Sequence, residues 1–315
     1  MVDGYERLRV AAIVVVFRTP EPLLERCIES VRVAANSADC DVDIIIADNG
    51  GTYTPELMEL ADIWCDTGSN LGFGVAVNLA IRRAVAPLTL LVNPDSRLEP
   101  LCLVELIQEH SRVALADAGP HKGTFFGCLL INGSRPQELA YQVWWSQAQH
   151  LLQRGNWRKW LERVIDQGAA TSAPRLCGAG LFGSTQHLRT LGPFSDEFFL
   201  YGEDVDFSLR ARAQGFSLVL VPKAVIRHDA GGSSEGVAQL VESARADAHL
   251  RLLARHQVYV VSLFGRLEFA LGATVGLFAG ARIASRSQAR FRELRRWQLS
   301  RVADPLFPTG REGVS

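Results

Sequence analysis

Over the first hundred residues, apolar positions come in short unbroken runs separated by amphipathic stretches. Val10–Phe17 is a continuous apolar run rich in β-branched residues, the pattern of a strand buried on both faces of a parallel sheet. Pro20 and Pro22 then open a helical pattern that sets Leu23, Leu24, Cys27, Ile28 and Val31 at helix spacing. Val42–Ala47 predicts a second buried strand, closed by the turn-forming Asp48-Asn49-Gly50-Gly51. Pro55–Ala61 predicts a helix, Ile63–Cys65 a short strand, Gly72–Val85 a helix, and Leu88–Val92 a strand ending at Asn93-Pro94-Asp95. Strand–helix alternation implies an open α/β sheet with right-handed crossovers. Such sheets bind ligands at the carboxyl ends of their strands, where Asp48 and Asp95 both fall.

From Ser111 to Pro174 the texture changes. Phe125–Ile131 predicts a strand, and Asn132-Gly133 a hairpin-type turn. A stretch with Trp144, Trp145, Trp157 and Trp160 reads as helical, without an assignable place in the fold. Leu176–Gly183 is small and apolar, Phe198–Gln214 carries acids at a helix start, and Phe216–Val221 predicts a strand. A second strand-like segment, Val221–His228, follows it. Beyond Ser233 the pattern is helical. Val258–Ala281 is apolar but interrupted by Arg266 and Glu268. Arg282, Arg286, Arg290, Arg292, Arg295, Arg296 and Arg301 come next, with Phe291 and Trp297 among them. Two readings fit this tail. It is an interfacial element drawn to anionic lipid at about 1 kcal/mol per basic residue, or a helix pair packed on the domain with solvated arginines.

Composition narrows the class. The 315 residues are 48% hydrophobic with a formal net charge of −1, which excludes a disordered chain. The near-neutral balance supplies no global field for a nucleic acid, so any anion is held locally. Six cysteines form no CxxC pair, which points to a reducing, cytoplasmic setting without a disulfide framework. Asp3 and Glu6 flank a run too short for a signal peptide. No stretch reaches the ~18 uninterrupted apolar residues of a membrane span.

Three segments carry candidate chemistry. Asn93-Pro94-Asp95 ends a strand; its carboxylate is a ligand for a hard cation, and the same tripeptide is also an ordinary turn. In Phe199-Leu200-Tyr201-Gly202-Glu203-Asp204-Val205-Asp206, three acids fall within four residues. At a helix N-terminus the dipole favours them structurally, while any one of them could take a proton from an incoming hydroxyl. His228 precedes the small-residue loop Asp229-Ala230-Gly231-Gly232-Ser233-Ser234, which makes it either a hydrogen-bonded structural histidine or a ligand beside a phosphate lid. Gly178-Ala179-Gly180-Leu181-Phe182-Gly183 matches GxGxxG, but Pro174 lies just upstream and no buried strand precedes it. A dinucleotide fingerprint is therefore rejected in favour of glycines at a close backbone approach within a strand.

Taken in order, these pieces resemble the family 2 inverting glycosyltransferases, and most of all their bacterial rhamnosyltransferase-like subgroup. The matching segments are Ile13–Phe17, Ala47–Gly50, Asn70-Leu71-Gly72-Phe73-Gly74-Val75-Ala76-Val77-Asn78, Asn93-Pro94-Asp95, Gly178–Gly180, Phe199–Asp206 and His228 with its loop. The resemblance implies an α/β GT-A fold with a Rossmann-like mixed sheet over residues 1–235, and a helical C-terminal extension over 236–315. It implies that Asp48 contacts the base or ribose of a nucleotide sugar. Asn49, Asn70, Gly72, Phe73, Gly74, Asn78 and Asn93 belong to the same nucleotide-sugar site. Asp95 corresponds to the metal-binding acid, with His228 as a further ligand for Mg²⁺ or Mn²⁺. Asp204 matches the catalytic base, with Glu203 and Asp206 as supports. The implied reaction moves a sugar, with L-rhamnose from dTDP-L-rhamnose the best match, to a glycan or polyprenyl-linked saccharide acceptor. The same fold with UDP-galactofuranose, UDP-GlcNAc or GDP-mannose, or a catalytically silent GT-A binding module, is the alternative. The implied location is the cytoplasm, at the inner face of the membrane if the tail is interfacial. Two departures stand out: Asn93 replaces the first acid of a full DxD, and Arg18-Thr19 replaces the polar pair usual after the first strand. None of the segments that carry this resemblance falls within residues 122–174.

Overall fold

A computed structural model of the chain describes residues 7–51, 53–116, 122–143, 145–192, 194–228, 238–257, 259–277 and 280–297. The Asp229–Ser234 loop, Trp144 and Arg301 lie outside the described residues. The first four strands are β1 (Arg9–Val16), β2 (Asp41–Asp48), β3 (Ile63–Asp66) and β4 (Leu88–Val92). Between them run α1 (Glu21–Ser37), α2 (Pro55–Met58) and α3 (Phe73–Arg83). Proline is tolerated in the first turn of α1 because its missing N–H would have no helical partner there. The helix then buries Leu24, Cys27, Ile28 and Val31 against the sheet. α2 is a single turn, shorter than the predicted 55–61, capped by the Thr54 hydroxyl on the Leu57 N–H. β1 pairs in parallel with both β2 and β4, so its residues from Val10 to Val16 are all buried.

The second half departs from simple parallel winding. It contains β5 (Ser96–Leu98), α4 (Cys102–Ala116), β6 (Thr124–Asn132), β7 (Arg135–Pro136), α5 (Gln147–Gln167) and β8 (Thr171–Ser172). Then come β9 (Leu181–Ser184), α6 (Thr185–Leu191), α7 (Glu203–Ala213) and β10 (Ser217–His228). Among the described residues the sheet order is β3-β2-β1-β4-β9-β6-β10-β5, with β7 on β6 and β8 on β10. β9 is antiparallel to both of its neighbours, β4 and β6, so the sheet is mixed. β6 and β7 form the expected hairpin, with Asn132 opposite Arg135 and Gly133 at φ +59. The two strand-like segments before His228 are one strand. Its register shifts between Val221 and Val225, where Pro222 has no N–H for the ladder. The tryptophan-bearing stretch folds as α5, ends on left-handed Gly168, and packs against β10. All six cysteines are free thiols.

The C-terminal part is helical: α8 (Ala238–His256), α9 (Tyr259–Gly276) and α10 (Gly280–Trp297). These helices share a small core of Ala246, Leu250, Phe269 and Trp297, separate from the main one. Within it, buried Asp247 accepts hydrogen bonds from Arg251, Arg296 and the Trp297 indole N–H at 2.9 Å. Among the described residues no helix is long and apolar enough to cross a membrane. The bundle is locked to the sheet domain through Asp206, which is fully buried. Its carboxylate accepts from Arg210 Nε at 2.7 Å on its own helix, and from Arg255 Nε and His256 Nε2 of α8, both at 2.9 Å. Burial alone would raise its pKa, but those bonds hold it below the usual carboxylate value. Removing one member of such a buried network strands the others. Asp206→Asn is therefore expected to lower unfolding free energy by about 3 kcal/mol in urea denaturation, and a loss below ~1 kcal/mol would refute the lock.

Candidate active site

The carboxyl ends of β2 and β4 and the start of α7 bring the site residues into place. At the end of β2, the Asp48 carboxylate accepts the Gly51 N–H at 2.7 Å, and burial pushes its pKa up. Asn49 ties this turn to the loop before α3. Its Oδ1 accepts the Leu71 N–H at 2.9 Å, and its Nδ2 donates to Asn70 Oδ1 at 2.9 Å. Gly72 holds φ +90, and a Cβ there would stand 2.3 Å from the Phe199 carbonyl oxygen, so no other residue fits. The same carbonyl accepts the Phe73 N–H at 2.9 Å. Gly74 lets α3 approach the acidic helix, because a Cβ there would lie 3.0 Å from Phe194 Cβ and 3.8 Å from Glu203 Cβ. Asn78 brackets Phe194 with two hydrogen bonds, 2.8 Å to its carbonyl and 3.1 Å from its N–H, so its side chain serves as a clamp between segments.

At the end of β4, buried Asp95 meets the end of β10. His228 Nε2 lies 3.3 Å from Asp95 Oδ1 and 3.2 Å from Asn93 Nδ2. Among the described residues no group of three or more His, Cys, Asp or Glu is placed to hold a metal. The pair nevertheless fits a divalent cation. Two ligands at right angles around an octahedral ion, each at ~2.1 Å, stand about 3 Å apart. A carboxylate and an imidazole leave the remaining positions to phosphate oxygens and water, as Mg²⁺ and Mn²⁺ prefer.

The three acids of α7 have three different fates. Tyr201 at φ +67 and Gly202 at φ +84 turn the chain into the helix. Glu203 is buried; burial and the adjacent Asp204 charge push its pKa up to about 8, and its Oε2 has no hydrogen-bond partner among the described residues. Asp206 is not brought to the site, being bound to Arg210, Arg255 and His256. Asp204 lines a cavity of about 710 Å³ between the sheet domain and the C-terminal helices. Arg175 Nη2 donates to its Oδ2 at 2.8 Å, and the Gly178 N–H reaches the same oxygen at 3.4 Å. Its Oδ1 accepts no hydrogen bond among the described residues.

The GxGxxG glycines are explained by packing, with one correction. Gly178–Gly180 form a 3₁₀ turn, and only Leu181 onward is strand. The turn packs on the end of β4, and a Cβ on Gly178 would sit 3.3 Å from the Phe73 ring and 3.8 Å from Asp204 Cβ. One turn thus lies between the Asn93–Asp95 corner and the acidic helix. Sequence reasoning missed Arg175, which looks like one more arginine before a small apolar segment. It also missed Gln142, Tyr201, Arg245 and Arg290 in the cavity wall, because residues on four separate elements carry no shared spacing.

The mixed sheet, with asparagine- and glycine-rich loops at its carboxyl rim and an acidic helix start facing a cavity, has the fold of GT-A glycosyltransferases. The chain matches the glycosyl transferase family 2 model over residues 11–164, just under half of its length, and resembles the rhamnosyltransferase-like type. It is 26% identical over 264 residues to the N-acetylglucosaminyl-diphospho-decaprenol L-rhamnosyltransferase of Mycobacterium tuberculosis, covering 78% of this chain and 85% of the relative. A mannosyltransferase from Pyrobaculum calidifontis, solved with GDP-Man and Mn²⁺, shares the fold with a TM-score of 0.56 at 16% identity, over 92% of this chain and 88% of that one. GalNAc-T7 with UDP, GalNAc and Mn²⁺ matches with a TM-score of 0.53 at 13% identity, over 80% of this chain; the chain spans about half (52%) of that protein's length.

Glu203 makes a pH prediction. Its raised pKa means the folded state holds a proton that the unfolded state releases between 4.5 and about 8, so the stability it contributes is lost as pH rises through that window. Glu203→Gln is expected to leave the melting temperature near wild type at pH 5 and to exceed it by a growing margin up to pH 8. Parallel melting curves across that range would exclude a protonated Glu203.

Proposed function

We propose that the protein is a metal-dependent inverting glycosyltransferase that moves L-rhamnose from dTDP-L-rhamnose to a sugar hydroxyl of a lipid-linked saccharide. Residues 1–235 form the catalytic unit, and 236–315 an extension that completes the acceptor side. The observation that carries the reading is the cavity-lining carboxylate of Asp204, held on one oxygen by Arg175 and flanked by Glu203, whose ionisation burial opposes, and by salt-bridged Asp206. The donor assignment draws on the mycobacterial relative, a rhamnosyltransferase acting on a diphospho-decaprenol-linked sugar by its name.

In this reading Asp48, Asn49, Asn70, Gly72, Phe73, Gly74 and Asn93 shape the nucleotide-sugar pocket, and Asn78 holds that pocket to Phe194. Asp95 and His228 would hold Mg²⁺ or Mn²⁺, which supplies charge neutralisation for the departing diphosphate. The acceptor hydroxyl oxygen attacks the anomeric carbon from the face opposite the nucleotide. Its proton passes to Asp204 Oδ1, the sugar–phosphate C–O bond breaks, and its electron pair leaves with the nucleoside diphosphate. In-line attack inverts the anomeric centre. Arg175 holds the carboxylate through Oδ2 and so fixes the direction of Oδ1. A base of this kind contributes ~10²–10⁴-fold to rate.

A peripheral membrane contact belongs to the same proposal. α9 exposes Val260, Phe264, Leu267, Leu271 and Val275 at helical spacing, and α10 carries arginines beside it.

Two experiments test the reading. A thermal-shift screen of nucleotide sugars with Mn²⁺ is expected to give its largest rise with dTDP-L-rhamnose, and Asp95→Asn should abolish the Mn²⁺-dependent part. A larger shift with UDP-galactofuranose, UDP-GlcNAc or GDP-mannose would replace the donor assignment. Asp204→Asn should bind the donor normally and lose at least a hundredfold in turnover; unchanged turnover removes Asp204 as the base, and no turnover in the wild type with any donor leaves a silent binding module.

A further inference from the structure

The cavity that holds Asp204 has a second charged wall. Arg245 Nη1 and Arg286 Nε, from α8 and α10, both lie 3.2 Å from the same oxygen of Glu242. Arg290 completes the group, its guanidinium 5.0 Å from the Phe269 ring centroid. All four residues line the cavity. Arg245 and Arg286 therefore share the Glu242 carboxylate while Arg290 stands on the same wall, three guanidinium groups to one carboxylate and an excess of two positive charges beside Ala246, Leu252 and Phe269. Clustered cations at an apolar wall repel one another unless an anion joins them, and arginine forks suit phosphate oxygens in particular. The wall nearer Asp204 is different. The Gln142 Oε1 and Glu203 Oε2 atoms are buried there without hydrogen-bond partners among the described residues, the environment that sugar hydroxyls would satisfy.

We propose that Arg245, Arg286 and Arg290 form a diphosphate-binding subsite for the acceptor, so that one cavity grips a prenyl-diphosphate-linked sugar with its sugar toward Asp204 and its diphosphate on the arginines. The two charges of a diphosphate diester match the excess on the wall. The donor's diphosphate is the competing occupant, but Asp95 and His228, at the ends of β4 and β10, are not part of this cavity. Leu252 and Phe269 then begin an apolar path for the prenyl chain, continued by the exposed flank of α9. This inference rests on the glycosyltransferase reading for the identity of the acceptor, but binding can be measured without turnover.

The test is calorimetric titration of the full-length protein with geranylgeranyl diphosphate. Wild type should bind it, and Arg286→Gln and Arg290→Gln should each weaken binding about tenfold. Arg286 is more than half exposed, so its replacement leaves the fold intact, and Arg290→Lys should recover part of the loss by restoring the charge. Affinity for dTDP with Mn²⁺ should be unchanged in all variants. The subsite is overturned if the glutamine variants bind geranylgeranyl diphosphate like wild type, if geranylgeraniol binds as tightly as its diphosphate, or if dTDP with Mn²⁺ displaces it competitively. It is equally overturned if the variants lose only adsorption to phosphatidylglycerol vesicles, which would make the arginines a lipid-surface contact. Arginine-dependent binding of the diphosphate in a protein that transfers no sugar would sustain the subsite while removing the function proposed above.

Discussion

A buried helix start cannot carry three uncompensated negative charges, and α7 places three carboxylates within its first turn. The structure meets this constraint by treating each acid differently. Glu203 keeps its proton because burial and a charged neighbour oppose ionisation. Asp206 is held as a carboxylate by Arg210, Arg255 and His256. Asp204 lines the cavity and receives one arginine and one backbone N–H on a single oxygen, the other accepting no hydrogen bond among the described residues. Two of the three partners of Asp206 come from α8, so the C-terminal helices are part of the electrostatic solution as well as the far wall of the cavity.

The same crowding ties the loop before α3 to the acidic helix start. The Phe199 carbonyl accepts the Phe73 N–H and lies where a side chain on Gly72 would have to go. At Gly74 and Gly178 even one added methyl group would meet Glu203 and Asp204, at 3.8 Å from their Cβ atoms. The loop before α3 and the acid-bearing helix are thereby packed closely on one another. Small residues here are a geometric requirement of close approach, and the literal dinucleotide-like spacing at Gly178–Gly183 is a by-product of it.

Much of this was legible in the chain. Continuous β-branched runs can be stable only as strands buried on both faces, so β1, β2 and β4 and the helices between them followed from periodicity alone. Asp48, Asp95 and the acids of α7 stood out because turn chemistry and charge density are local properties. The antiparallel insertion of β9 was not legible, since Leu181–Ser184 is four residues of small and apolar character whose partners are remote in sequence. Nor did the pattern show that the segments before His228 are one bulged strand, because Pro222 interrupts the run that the sheet later joins.

The sequence by itself determined the parallel half of the sheet, the loops at its carboxyl rim and the presence of an acidic helix start, because each depends on residues within a few positions of one another. Only the tertiary structure decided which acid faces the cavity, that Asp95 meets His228, and that Arg175 joins arginines of α8 and α10 around the same space. Those choices depend on desolvation and on charges that fold together from distant segments, and neither quantity exists until the chain has closed.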